Sequence, residues 1–119
     1  MGLTHVAVKL RSFGSLDEFQ AKFLVDTRAT DSLVPAAALS QIGIQPIGKM
    51  RYELADGNIH EFEFGLAEIS FMNETTAGRV IFGPDGVEPI LGVTALESAG
   101  IVVDPVSRTL KRLPAISLK

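Results

Sequence analysis

Turn signals interrupt this chain about every ten residues, so long helices have no room to form. Gly14 lies in a polar stretch from Ser12 to Ser15, and Asp56-Gly57, Met72-Asn73-Glu74, Gly83-Pro84-Asp85-Gly86 and Pro105 to Arg108 punctuate the rest. Between these breaks the apolar residues mostly alternate with polar ones, the period of a half-buried strand. Val6, Val8 and Leu10 alternate with Ala7 and Lys9, and Phe19, Ala21 and Phe23 do the same. The second series runs into Phe23-Leu24-Val25, a short continuous run that suits a strand covered on both faces.

Two segments break the strand pattern. Pro35 to Gly43 predicts a short helix, with Pro35 in its first turn and Gly43 closing it. Thr94 to Ala99 predicts another, with Thr94 as N-cap, Glu97 completing a capping box and Gly100 as the stop. Met50 to Phe71 reads as a long hairpin, with Asp56-Gly57 as a two-residue turn that places Leu54 opposite Ile59. Phe62, Phe64 and Leu66 share one parity while Ile69 and Phe71 have the other, which predicts a bulge or bend near Gly65. Pro89-Ile90-Leu91-Gly92, Ile101 to Asp104 and Thr109 to Leu113 complete an expected set of about eight strands. The expectation is an all-β, barrel-like fold with one or two short helices, formed by residues 1–119 as a single domain.

Composition narrows the chemistry. The chain has no Cys, which excludes disulfides, zinc ribbons and a thiol nucleophile. Its net charge of −3 gives a polyanion nothing to bind, so no nucleic-acid partner is expected. The two histidines, His5 and His60, stand in no nucleophile elbow or metal-ligand spacing, and both read as solvated strand residues. No metal or other cofactor is therefore expected. No apolar run has the roughly 20 residues of a membrane helix, and Met1 to Leu10 lacks a signal-peptide core, so the expectations are no membrane partner and a cytoplasmic location.

One segment carries a chemical pattern. Phe23-Leu24-Val25 leads into Asp26-Thr27-Arg28-Ala29-Thr30-Asp31-Ser32, an apolar strand delivering a carboxylate into a tight polar turn. With Pro89-Ile90-Leu91-Gly92 before a short helix, and with the Asp56-Gly57 hairpin between, the chain resembles the retropepsin-like (clan AA) aspartic proteases. The general pattern, including Val102-Val103-Asp104-Pro105, looks like the small single-domain bacterial and archaeal members. The resemblance spans roughly residues 4–113. It implies a closed or partly open acid-protease β-barrel with a flap hairpin. It also implies an aspartic endopeptidase that hydrolyses a peptide or protein substrate.

By the same resemblance, Asp26 is the catalytic carboxylate and Thr27 bonds across a dimer axis. Arg28, Ala29, Thr30 and Asp31 line the substrate cleft. The flap tip, Ala55, Asp56, Gly57, Asn58 and Ile59, closes over the peptide. The chain contains one such Asp-Thr turn, so it holds half of a two-carboxylate site, and the implied assembly is a homodimer. The family signature has Gly where this chain has Arg28. An arginine beside Asp26 favours its ionised form and works against a proton shared between two carboxylates. The competing expectation is a dimeric peptide-binding or assembly module that keeps the fold without the catalysis. The plainest reading leaves Asp26 as the cap of a turn in a structural β-domain.

Overall fold

A computed structural model describes residues 4–118; the ends of the expected domain, residues 1–3 and 119, lie outside them. The elements run β1 (His5–Arg11), β2 (Glu18–Asp26), β3 (Ser32–Pro35), α1 (Ala36–Gln41), β4 (Gly48–Glu53), β5 (Ile59–Phe71), β6 (Glu74–Gly83), β7 (Ile90–Gly92), α2 (Val93–Ala99), β8 (Ile101–Asp104) and β9 (Thr109–Arg112). The main sheet has the order β1-β2-β7-β3-β6-β5-β4, and β1 also pairs with β5. That extra pairing closes six strands into a barrel and leaves β4 as an arm outside the ring. The expected all-β barrel with two short helices is therefore present.

The alternation read in the sequence sorts side chains as expected. Val8 and Leu10 of β1, Phe23 and Val25 of β2, Ala67, Ile69 and Phe71 of β5 and Val80 of β6 point into a shared core. Leu39 of α1 and Leu96 of α2 are buried in the same core. Burying each such side chain contributes about 1.5–3 kcal/mol, so the helices are held by packing. Their own lengths are below what an isolated helix needs.

Four local expectations are corrected. The hairpin turn is not a two-residue one: Ile59 pairs with Glu53, and the Leu54 amide donates to the Asn58 carbonyl at 2.8 Å. Ala55, Asp56 and Gly57 form a three-residue loop in which only Gly57 takes a positive φ, the arrangement of a type I turn with a glycine bulge. The tight turn with two positive φ values is instead Met72-Asn73, joining β5 to β6.

Of the expected bulge or bend near Gly65, the bulge is absent: the register of β5 with β6 runs unbroken from Phe64 to Phe71. The change of parity reflects a change of environment. Before Gly65 the strand is flanked by β4, and from Glu68 on by β1. Gly65 is needed for a close approach: a Cβ there would lie 2.8 Å from the Gln45 carbonyl oxygen and from Ile44.

The capping box does not form either. Helix α2 starts at Val93, with Gly92 as its N-cap and no side-chain cap. The final strand ends at Arg112, and the Leu113 amide leaves it to bond the Gly100 carbonyl at 2.8 Å. Gly100 itself ends α2 in the left-handed conformation, as expected. No helix among the described residues is long and apolar enough to cross a membrane.

Candidate active-site loop

Strand β2 ends on Asp26, and its last residues pair in parallel with β7, Asp26 against Gly92. The chain then folds tightly. The Ala29 amide donates to the Asp26 carbonyl at 3.1 Å, and the Arg28 amide donates to Asp26 Oδ1 at 3.0 Å. This Asx-type turn holds the carboxyl group at the strand end and leaves Oδ2 free of any described partner.

The loop is fastened from behind by the start of α2. The Val93 amide donates to the Ala29 carbonyl at 2.7 Å, and the Thr94 amide to the Thr30 carbonyl at 3.2 Å. Backbone carbonyls of the loop thus satisfy amides that a side-chain cap would otherwise serve. Buried Ser32 accepts the Gly92 amide at 3.0 Å. Gly92 has no room for a side chain, since a Cβ would meet the Asp31 carbonyl carbon at 2.6 Å and the Thr30 oxygen at 2.9 Å. The glycine of the Ile-Leu-Gly run therefore permits β7 to press against the loop.

Arg28 projects outward, its side chain 81% exposed, with Nε 3.9 Å from Asp26 Oδ1. That is an ion pair at its outer limit, without the two-pronged hydrogen bonding a guanidinium can give. Asp26 is 31% exposed, so its carboxylate is reached by solvent. Thr27 and Thr30 are exposed and Ala29 is half-buried.

Asp31 behaves differently. Its side chain is 9% exposed, and Oδ2 accepts the Tyr52 hydroxyl at 2.6 Å with Arg79 Nη1 at 3.7 Å. Burial, and then the bond to Asp31, push the Tyr52 phenol up to about 12. The Arg79 guanidinium lies 4.3 Å above the Phe64 ring. The sequence gives no sign of Tyr52 or Arg79 at this loop, because only strand pairing brings β4 and β6 to it.

Among the other expected site residues, Ala55, Asp56, Gly57, Asn58 and Ile59 are all exposed. They are organised by themselves: Asp56 accepts the Asn58 backbone amide and side-chain amide, each at 2.9 Å. The Asn58 backbone bond holds the Asp56 carboxyl below its ordinary range. A half-buried apolar band was also missed. Register places Leu24 beside Ile90, Ile90 beside Leu33, Leu33 beside Ile81 and Ile81 beside Phe64; Ile81 is buried and the other four are half-buried. A groove of about 560 Å³ lies elsewhere, between the β1–β2 pair and the Met72-Asn73 turn, and Asp26 does not line it.

No protein-family model matches the sequence, and no curated protein matches it. Solved structures do. The Simian Foamy Virus (mac) protease superposes with a TM-score of 0.56 at 16% identity, over 78% of this chain and 91% of that one. The retroviral protease-like domain of Ddi1 from Leishmania major gives 0.57 at 16% identity, over 97% of this chain and 91% of that one. The shared feature is the retropepsin-like fold.

Proposed function

We propose that this chain is an aspartic endopeptidase of the small bacterial or archaeal retropepsin-like type, acting as a homodimer. Asp26 from each chain forms the catalytic pair. The observation that carries this reading is the Asp26 turn itself: a strand-end carboxylate with one oxygen unpartnered, on a loop clamped to Gly92 and α2. A turn that only needed capping would not need that clamp.

Two carboxylates brought together across a twofold axis do not ionise together easily, so one proton is shared. The ionised carboxylate takes a proton from a water molecule, which attacks the scissile carbonyl carbon. The protonated partner donates to the carbonyl oxygen, and the tetrahedral intermediate collapses as the amine leaves with a proton. Thr27 bonds between the two loops and keeps the pair rigid. Thr30 and the apolar band receive an extended peptide, and the hairpin tip from Ala55 to Ile59 covers it as a flap.

Arg28 supports a second reading. Its Nε stands 3.9 Å from Asp26 Oδ1, and the family signature has glycine at this position. Turning the exposed guanidinium inward would fix Asp26 as a paired anion and leave a dimeric peptide-binding module without hydrolysis.

Cleavage of an unfolded protein by wild type, Asp26→Asn and Arg28→Gly from acid to neutral pH separates the two. The peptidase reading expects wild type to cleave and Asp26→Asn to be inert. It fails if wild type is as inert as Asp26→Asn and only Arg28→Gly cleaves. Sedimentation at micromolar concentration tests the assembly, and a monomer counts against both readings.

A further inference from the structure

The β4–β5 hairpin is two-faced. Met50, Tyr52 and Leu54 alternate with Lys49, Arg51 and Glu53, and register places Phe62 opposite Met50 and His60 opposite Tyr52. One face is thus mainly apolar and the other charged. Tyr52 belongs to the apolar face, with its ring 6.2 Å from that of Phe62. Its hydroxyl reaches beyond the hairpin to Asp31, five residues after Asp26 on the same loop.

The contacts form a circuit. Tyr52 on β4 donates to Asp31 on the loop, Asp31 faces Arg79 on β6, and the Arg79 guanidinium lies over the Phe64 ring of β5. The network starts and ends on the same hairpin. A phenol donating to a carboxylate at 2.6 Å is a charge-assisted bond, stronger than a neutral one. Arg79 balances the Asp31 charge, so this nearly buried carboxylate is not left unpaired. The Asp31 oxygen is engaged before any peptide arrives.

We infer that Tyr52 is a positioning residue for peptide binding: through Asp31 and Arg79 it sets the hairpin at a fixed height over the Asp26 loop. The inference rests on the reading of this hairpin as the flap of a peptide cleft. A hairpin already held in place has less freedom to lose when a peptide binds, so the contact lowers the entropic cost of closure. Tyr52 pairs with His60 near the tip end of the hairpin, just before the loop of Ala55 to Gly57, so the bond holds the part of the hairpin that stands over the loop.

Tyr52→Phe keeps the ring and removes the bond. Backbone amide exchange at residues 50–54 is expected to quicken about tenfold, the scale of one charge-assisted hydrogen bond, while the core amides of Val8, Leu10 and Phe23 keep their protection. KM for a peptide is expected to rise about tenfold with kcat within about twofold, a split that general loss of fold does not produce.

Tyr52 is the only tyrosine and there is no tryptophan, so near-ultraviolet titration reads this phenol alone. In Asp31→Asn its pKa is expected to fall from the raised value of about 12. Should Asp31→Asn fail to fold, Tyr52→Phe carries the test. Hairpin exchange unchanged in Tyr52→Phe, in a protein that cleaves peptide, overturns the positioning role and leaves the peptidase intact. Faster hairpin exchange in a protein that cleaves nothing upholds the contact and sinks the peptidase reading instead.

Discussion

Two strands of this molecule end in aspartate and turn on it. Asp104 ends β8, where it accepts the Val106 amide at 2.9 Å, the Ser107 amide at 3.4 Å and Lys111 Nζ at 2.7 Å. Lys111 and then these amides hold its carboxyl far below the ordinary range. Asp26 ends β2, accepts one amide at 3.0 Å and has its arginine at 3.9 Å. The first carboxylate is fully employed in a turn, and the second keeps acceptor capacity. The backbones differ in the opposite sense. The Asp26 loop is bolted to α2 and Gly92, whereas the Asp104 turn sits at the end of a separate two-stranded sheet. The Asp104 carboxylate is spent on its own turn, whereas the Asp26 carboxylate keeps acceptor capacity on a loop held by a neighbouring strand and helix.

The sharpest way to break this comparison is to exchange carboxylate for amide at both places. Asp26→Asn is expected to reduce cleavage by on the order of 10²–10⁴-fold, the range for losing a general acid–base group, with the melting temperature nearly unchanged. Asp104→Asn is expected to leave cleavage unchanged and lower the melting temperature. Equal losses of activity in the two variants would erase the distinction.

Gly92→Ala tests the bolt. The new methyl would meet backbone atoms of Asp31 and Thr30, which cannot step aside as a side chain can, so a loss of about 1–3 kcal/mol or more is expected in chemical denaturation. A wild-type midpoint would mean that β7 does not press on the loop.

Arg28→Gly tests the looseness of the Asp26 ion pair. Because the guanidinium is exposed and makes no close hydrogen bond to the carboxylate, while glycine keeps the backbone amide that does, the change in stability is expected to stay within about 0.5 kcal/mol. Cleavage is expected to rise by about tenfold, the scale of one charged contact. A large destabilisation would show that Arg28 belongs to the turn as Lys111 belongs to its own.

The smallest effect is a pH dependence at Asp104. Its folded-state carboxyl lies below its ordinary 3.8. The unfolded chain therefore takes up the proton first as pH falls. Its contribution is complete above about pH 4 and fades as pH drops toward the folded value. Melting temperatures of wild type and Asp104→Asn should differ most at neutral pH and converge in acid. A difference that grew in acid would reverse the sign.

Most of the barrel was legible because alternation is local. Val8 and Leu10, or Phe23 and Val25, show their inward face by spacing alone. The turns were less so. An Asp-Gly pair serves either a two-residue turn or a glycine bulge, and only the partner strand's register decides between them. Met72-Asn73 adopts two positive φ values with no glycine to announce it. Thr94 and Glu97 have the spacing of a capping box, but carbonyls of the Asp26 loop reached the helix amides first. The Asp26 turn could be found from its own residues. Tyr52 and Arg79 could not, since their meeting at Asp31 is a property of the closed barrel.

The parallel pairing of β2 with β7 also governs when the loop comes into being. Asp26 is made before Gly92 and the α2 amides that hold it, with β3, α1, β4, β5 and β6 between them in the chain. A ribosome must deliver the chain through α2 before the carboxylate has its setting, and such distant pairing is slow to find. The unfinished polypeptide therefore carries the aspartate without the partners that fix its turn.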